Sequence, residues 1–157
     1  MLDIGDEAPD FTAPLANGDI ESFTLSEHLS EAPIVLAFFP AAFTPTCTSE
    51  MCSFRDHMAE FEAIDATVYG VSVDLPYTLN EFRAQNDLGF GLISDERREL
   101  IDAYDVVSSF SPLDLRAAQR AVFVVDGDGI VTYRWVGDNP KQEPDYETVR
   151  EAVAEAA

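Results

Sequence analysis

The chain has 157 residues, of which 46% are hydrophobic and 11% aromatic, and this predicts one folded domain, residues 1–157, with a core of ordinary size. Its 30 acidic residues outnumber nine basic ones, and the formal net charge of -21 would repel nucleic acid and anionic lipid, so neither is expected as a partner. We interpret the acidity as adaptation to molar salt, typical of a halophile, because salt screens charge repulsion.

The sequence has no run of about 18 apolar residues that would predict a membrane span, and its acidic start lacks the basic and apolar regions of a signal peptide. A cytoplasmic protein is therefore expected. Its only cysteines, Cys47 and Cys52, are too few for a disulfide framework. In a cytosolic protein, so close a pair is more typical of redox chemistry or of a metal site.

The predicted elements begin with a β-hairpin, since residues 11–15 and 19–23 flank Asn17-Gly18, and Pro14 places this hairpin at a sheet edge. Apolar runs predict the remaining strands, at residues 34–39, 68–73, 92–93, 121–125 and 130–136. Helices are predicted at residues 26–29 (capped by Ser26), 46–64, 77–86, 97–104 and 145–155, with residues 105–119 irregular. This order predicts an α/β fold with a mixed central sheet flanked by helices.

Cys47 lies at the start of the predicted helix 46–64, directly after a buried strand. Apolar side chains follow it at helical spacing, namely Met51, Phe54, Met58 and Phe61. Cys47 therefore lies on the stripe that faces the core, where free backbone N–H groups and the positive end of the helix dipole favour the reactive thiolate. This position makes Cys47 a candidate nucleophile. The alternative is a buried cysteine that acts only as a small hydrophobic side chain.

Cys52 lies about 140° further around an ideal helix, with its Cα roughly 8 to 9 Å from that of Cys47. A disulfide usually requires less than about 7 Å, so a bond between the two would require the first helical turn to unwind. A metal site is the competing interpretation, because Cys47, Cys52 and His57 have C-x4-C-x4-H spacing. On one helix their side chains diverge, so no metal is expected. Neither His28 nor His57 has an obvious catalytic partner.

Residues 40–47, PAAFTPTC, match the P-x-x-x-T-x-x-C signature of peroxiredoxins, and the match continues through CTSEMCSFRD at 47–56. The spacing of five residues between Cys47 and Cys52 resembles that of the Q-type (bacterioferritin-comigratory) subfamily. VYGVSVDLPYTLNEF (68–82) and LISDERRELIDAYDV (92–106) resemble the alkyl hydroperoxide reductase E-type subfamily. RAVFVVDGDGIV at 120–131 is similar to the arginine-containing strand of both, and the resemblance spans residues 3–155.

This resemblance implies a thioredoxin-like fold without a cofactor. Cys47 would be the peroxidatic cysteine, Thr44 would hold the peroxide through its hydroxyl, and Pro40 would shield the thiolate from water. Arg120 would supply positive charge over Cys47, and Cys52 would be the resolving cysteine. Taken singly, Thr44 and Pro40 also fit an ordinary loop, and Arg120 also fits a surface ion pair.

The implied activity is a thiol-dependent peroxidase that reduces hydrogen peroxide and organic hydroperoxides. The Cys47 thiolate would become a sulfenic acid, Cys52 would convert it to an intrachain disulfide, and a thioredoxin-like donor would reduce that bond. Two alternatives stay open: an external thiol resolves Cys47, or the protein is a redox-sensing or holdase-like binding protein on the same fold. Apolar residues near the site, Phe43, Leu75 and Tyr77, predict a homodimer patch.

Overall fold

The computed structural model describes residues 2–110 and 115–157, and its central feature is a mixed β-sheet. The strands within these residues are β1 (Thr12–Ala16), β2 (Ile20–Thr24), β3 (Ile34–Phe38), β4 (Thr67–Ser72), β5 (Leu92–Ser94), β6 (Val107–Phe110), β7 (Leu115–Ala118), β8 (Ala121–Val125) and β9 (Val131–Val136). The main sheet has the order β2-β1-β5-β4-β3-β8-β9, with β3, β4 and β5 parallel and antiparallel neighbours on both sides. The predicted mixed sheet and the N-terminal hairpin at its edge are confirmed.

Helices cover both faces of this sheet. Those within the described residues are α1 (Pro45–Asp56), α2 (Met58–Ala63), α3 (Pro76–Gln85), α4 (Glu99–Ala103) and α5 (Tyr146–Ala156). One face holds the buried side chains of α1, α2, α3 and α5, and the other holds those of α4. Because α1 follows the parallel strand β3, its N-terminus lies at the carboxyl ends of the parallel strands, the usual place for a site in such a sheet.

Strand β3 is buried on both faces, as its continuous apolar sequence predicts. Its side chains alternate between the two halves of the core, since successive residues of a strand point to opposite faces. Leu36 and Phe38 belong to the cluster on the α4 face, whereas Val35 and Ala37 belong to the cluster that contains Cys47. The site is therefore built on the most buried part of the sheet.

The helix predicted at 46–64 is in fact two helices, α1 and α2, which meet at His57. The backbone N–H of His57 donates to the carbonyls of both Ser53 and Phe54, and its ring Nδ1 lies 2.7 Å from the carbonyl oxygen of Ser53. This side chain interacts with the last turn of α1 while the His57 backbone leaves helical geometry. The apolar stripe continues through Met58 and Phe61, so periodicity alone gives no sign of the break.

The prediction that residues 105–119 are irregular is wrong for the described part of this range. Strands β6 and β7 pair antiparallel, from Val107 opposite Ala118 to Phe110 opposite Leu115, and form a separate two-stranded sheet. Residues 111–114 lie outside the described residues. The sequences VSSF and LRAA lack the alternating or continuous apolar pattern that identifies a strand, so the pairing depends on a neighbouring strand rather than on local preference.

The predicted helix cap by Ser26 is also wrong. Residues 25–27 and 29–31 form two 3-10 turns without a side-chain cap, and the backbone N–H of Ser26 donates to Oδ1 of Asp10. The helix predicted at 97–104 is shorter, because Arg98 lies in the left-handed region at φ 59°. None of the described helices has the length and apolar content needed to cross a bilayer.

Candidate active site

The loop between β3 and α1 carries the first part of the candidate site, and hydrogen bonds hold it on the sheet. The N–H of Phe39 donates to the carbonyl of Val71 at 2.9 Å, and the N–H of Ala42 donates to Oδ2 of Asp74 at 2.8 Å. Asp74 is itself fixed by the hydroxyl of Ser72, which donates to the same oxygen at 2.7 Å. The end of β4 thus determines where this loop turns.

Within the loop, Pro40 is buried and Phe43 makes the turn into α1. Phe43 has φ 68°, in the left-handed region, which costs roughly 1–2 kcal/mol for a residue with a Cβ. Its ring packs edge-on against Phe82 of α3, with 5.3 Å between ring centroids. This contact with Phe82 stabilises the strained turn at Phe43, which leads the chain into the N-terminus of α1.

Cys47 lies in the first turn of α1 and is only 1% exposed. Its helix can approach the sheet closely because β4 presents Gly70 at that point. A Cβ at Gly70 would lie 3.0 Å from Sδ of Met51 and 2.6 Å from Cδ2 of Leu92. The predicted placement of Cys47 on the core-facing stripe of its helix is confirmed.

Arg120 lies immediately before β8, and its guanidinium group reaches Cys47. Its Nη2 donates to Sγ of Cys47 at 3.2 Å and to the carbonyl oxygen of Pro140 at 2.6 Å, while Nη1 donates to Oε1 of Glu50 at 2.9 Å. The side chains of the ion pair are 1% exposed for Arg120 and 0% for Glu50. The alternative that Arg120 sits in a surface ion pair is therefore wrong.

The guanidinium group of Arg120 stays charged in this position. Burial alone would lower its pKa, but the neighbouring Glu50 and Cys47 raise the pKa of Arg120 above its ordinary value. A single buried cation thus faces two groups that can each carry a negative charge, the thiol of Cys47 and the carboxyl of Glu50.

Glu50 is a site residue whose role was not predicted from the sequence. The sequence analysis included it only as part of the matched motif CTSEMCSFRD. Its Oε2 is buried and has no hydrogen-bond partner among the described residues. Burial raises the pKa of Glu50 to about 8, against the opposing effect of Arg120, and the nearby Glu143 also raises it. A signal was present: an acid three residues after Cys47 shares its helix face, and buried acids are rare unless they are paired.

Thr44 precedes α1, and its hydroxyl is already engaged within the loop. Its Oγ1 donates to the carbonyl of Ala41 at 2.7 Å, and its own carbonyl accepts bonds from the N–H and the hydroxyl of Thr48. A hydroxyl has one proton and two lone pairs. In this arrangement Thr44 therefore presents a lone pair, rather than a proton, to a molecule bound beside it.

Cys52 is half-buried and contacts Asn86, the residue after α3, rather than Cys47. Its Sγ donates to Oδ1 of Asn86 at 3.7 Å, and Nη1 of Arg55 donates to the carbonyl of the same Asn86 at 2.7 Å. Both cysteines are free thiols, and α1 is continuous between them. The structure brings Cys47, Glu50 and Arg120 together but leaves Cys52 apart, so a disulfide requires the first turn of α1 to open.

The two histidines are occupied by structural contacts. His28 stacks on Phe23 with 4.2 Å between ring centroids, and His57 stacks on Tyr146 at 5.9 Å. In the part of the chain that the structure describes, no group of three or more His, Cys, Asp or Glu side chains is placed to hold a metal ion.

A parallel β-α-β core with a buried thiol at a helix N-terminus, beneath a buried arginine, defines a redox protein of the thioredoxin-like class. Residues 4–134 match the AhpC/TSA family, and the chain belongs to this family. It is 35% identical over 135 residues to alkyl hydroperoxide reductase E of Mycobacterium tuberculosis, covering 85% of this chain and 84% of that protein. It is 32% identical over 136 residues to peroxiredoxin Bcp of Bacillus subtilis, covering 85% of each.

Solved structures agree with this assignment. The crystal structure of peroxidoxin BcpB from Mycobacterium tuberculosis superposes with a TM-score of 0.85 at 28% identity, over 100% of this chain and 99% of that one. The predicted thioredoxin-like fold and the resemblance to the Q-type and E-type subfamilies are confirmed. The protein is a peroxiredoxin, a thiol-dependent peroxidase whose substrate is a peroxide and whose reductant is a thiol.

Proposed function

We propose that Cys47 is the peroxidatic cysteine and that the enzyme reduces hydrogen peroxide and organic hydroperoxides. The observation that carries this proposal is the 3.2 Å contact between Nη2 of Arg120 and Sγ of Cys47, both buried. A permanently charged donor at this distance favours the thiolate and can polarise the O–O bond. The sulfur attacks one oxygen, the O–O bond breaks, and the other oxygen leaves and takes up a proton, so that Cys47 becomes a sulfenic acid.

The roles of the neighbouring residues follow from their positions. A lone pair of Thr44 Oγ1 accepts the O–H of the hydroperoxide, and free N–H groups in the first turn of α1 donate to the oxygen that gains negative charge. Pro40 keeps bulk water from the sulfur, and its burial supports this role. Aligning the peroxide with Cys47 in this way can lower the reaction barrier by several kcal/mol.

A groove of about 370 Å³ beside the active-site loop supports organic hydroperoxides as substrates. Its lining includes Pro40 and Ala41 of that loop and the apolar side chains of Val73 and Leu75, together with the charged side chains of Asp74, Arg98 and Arg116. A hydroperoxide could place its apolar tail against the apolar side chains while its O–O group reaches the loop.

Cys52 is proposed as the resolving cysteine, within the same chain. Its contact with Asn86 is a long thiol hydrogen bond, which is weak enough to be lost when the first turn of α1 unwinds. The freed thiol then attacks the sulfenic acid of Cys47, a disulfide forms and water leaves. A thioredoxin-like donor reduces that disulfide, and two free thiols fit the reducing cytoplasm where such donors act.

A homodimer is proposed through the apolar patch beside the site. Phe43, Leu75 and Tyr77 are 48%, 57% and 77% exposed, although large apolar side chains usually avoid water. Sedimentation velocity in molar KCl should give a dimer, and a single species of monomer mass would contradict this part of the proposal.

The test of the peroxidase proposal is stopped-flow oxidation of the reduced protein by hydrogen peroxide in molar KCl, followed by intact mass. Wild type and Cys52→Ser should both react much faster than a free thiol. Wild type should then lose two hydrogens, and the variant should gain one oxygen, which identifies a Cys47 sulfenic acid resolved by Cys52.

Other outcomes separate the alternatives. A fast reaction with the oxygen adduct in both proteins would retain the peroxidase but assign resolution to an external thiol. A wild-type rate no faster than that of a free thiol would overturn the proposal and favour a sensing or holdase-like role.

A further inference from the structure

Arg120 is shared by two acidic groups on one face of α1. Cys47 and Glu50 are one helical turn apart, are 1% and 0% exposed, and bond to different nitrogens of the same guanidinium. One negative charge neutralises Arg120, whereas a second buried anion would be uncompensated and costly. The three groups therefore favour a state in which either the sulfur or the carboxyl is ionised, but not both.

We propose that Glu50 holds the proton that balances the peroxidase reaction, being protonated while Cys47 is a thiolate and ionised once the sulfur has been oxidised. This inference rests on the proposed role of Cys47. The peroxide reaction consumes the negative charge on the sulfur, and the departing oxygen needs a proton. If Glu50 supplies that proton, Arg120 has one counter-ion both before and after the reaction.

The charges and electrons of the step balance. Before the reaction the site holds the Cys47 thiolate, the Arg120 cation and the neutral Glu50 carboxyl. The S–O bond forms, the O–O bond breaks, the sulfur is oxidised by two electrons and the peroxide is reduced by two. The proton of Glu50 ends on the departing oxygen as water or alcohol, which leaves a neutral sulfenic acid and a Glu50 carboxylate beside Arg120.

The surroundings of Glu50 agree with this role. Oε1 bonds to Arg120, whereas the buried Oε2 has no partner among the described residues and is free to carry the proton. Besides Cys47 on its own helix, the titratable groups close to Glu50 on other elements include Arg120 and Glu143, which act on the pKa of Glu50, and Tyr146, whose pKa Glu50 raises. The carboxylate of Glu143 is held by the hydroxyl of Tyr146 at 2.6 Å, so it adds negative charge nearby and favours the neutral form of Glu50.

The proton stoichiometry of a single turnover tests the proposal. Reduced Cys52→Ser stops at the sulfenic acid, and its oxidation by one equivalent of hydrogen peroxide is followed with a pH indicator in weak buffer. The pH is chosen so that the ultraviolet absorbance of the thiolate shows Cys47 to be ionised. Cys52→Ser should take up no proton from solution, and the same protein with Glu50→Gln should take up one per Cys47 oxidised, because glutamine cannot ionise.

A second readout separates proton supply from simple packing. In Glu50→Gln the carboxyl group no longer competes with the sulfur of Cys47 for Arg120. The thiolate absorbance of this variant should therefore persist to lower pH than that of wild type. The rate constant per thiolate should nevertheless fall by about a hundredfold or more, since about a hundredfold is the lower end of the usual proton-transfer contribution. The matched control is Glu60→Gln, which removes one exposed charge on the neighbouring helix α2 and should change neither quantity.

The outcomes distinguish this inference from the proposed function. Uptake of one proton by Cys52→Ser itself, in a fast reaction, overturns the role of Glu50 and leaves Cys47 as the nucleophile, whether or not the glutamine variant folds. An unchanged rate per thiolate in Glu50→Gln overturns it too. A reaction of Cys52→Ser no faster than a free thiol overturns the proposed function instead.

Discussion

Arg120 determines the geometry of the candidate site because it bonds to three groups at once. Its guanidinium joins the sulfur of Cys47, the carboxyl of Glu50 and the carbonyl of Pro140. A lysine ammonium could not reproduce this planar arrangement of donors. The carbonyl of Pro140 adds no charge, so the electrostatic balance of the site depends on Cys47 and Glu50.

At this same scale, Glu50 makes stability depend on pH in a direction opposite to that of most acids. Its pKa is raised by burial to about 8 in the folded protein, against an ordinary value of 4.5. Folding therefore favours the protonated form, and this contribution is fully present below about pH 4.5 and is lost as pH rises through about 8. The loss should amount to a few kcal/mol at most.

The measurement is urea unfolding of reduced wild type and Glu50→Gln at constant salt, from pH 5 to 8. The stability of wild type relative to the variant should fall as pH rises, because only wild type has this group to ionise. A difference between the two proteins that stays constant across the range would contradict the assignment.

At the scale of secondary-structure elements, the position of α1 depends on the strand beneath it. Gly70 of β4 leaves the space into which Met51 of α1 packs, and Met51 lies one turn after Cys47. The distance between the sheet and the helix thus helps to place the sulfur beneath Arg120.

Gly70→Ala should displace α1 and destabilise the fold by about 1–3 kcal/mol, the usual cost of overpacking a core. The added Cβ would lie 2.6 Å from Cδ2 of Leu92 and 3.0 Å from Sδ of Met51. Urea unfolding and the rate of the peroxide reaction should both report the change. Gly89→Ala is the matched control, since a Cβ there meets no atom within 4 Å, and equal effects from the two substitutions would contradict this account.

At the scale of the whole molecule, charge is the dominant feature. With 30 acidic and nine basic residues, most carboxylates have no basic partner, and a net charge of -21 favours expansion of the chain at low ionic strength. Added salt shortens the distance over which this repulsion acts, from about 30 Å at 0.01 M to about 3 Å at 1 M.

The thermal midpoint should therefore rise as KCl increases from low to molar concentration. Each kcal/mol of stabilisation raises the midpoint by about 2–4 °C for a chain of this size. Differential scanning calorimetry across a KCl series measures the effect, and a flat midpoint would refute the interpretation that the acidic surface is an adaptation to salt.

Local patterns in the sequence were sufficient for the features that depend on near neighbours. The continuous apolar run of β3 predicted a strand buried on both faces, and the helical spacing from Cys47 to Phe61 predicted the face that Cys47 shares with the core. Both follow from the periodicity of a single element, and the motif around Cys47 then identified the family. Within α1 and α2, only the break at His57 escaped this reasoning, because the break and the hydrogen bond to Ser53 that accompanies it leave the apolar pattern unchanged.

Only the tertiary structure decided which distant groups meet. Glu50 and Arg120 are 70 positions apart, and no local pattern predicts that both are buried against one sulfur. The pairing of β6 with β7 and the turning of Cys52 towards Asn86 likewise depend on segments that folding brings together. The raised pKa of Glu50 exists only once burial has removed water. The sequence by itself therefore predicted the candidate nucleophile and its helix, whereas the electrostatic surroundings of that candidate required the folded chain.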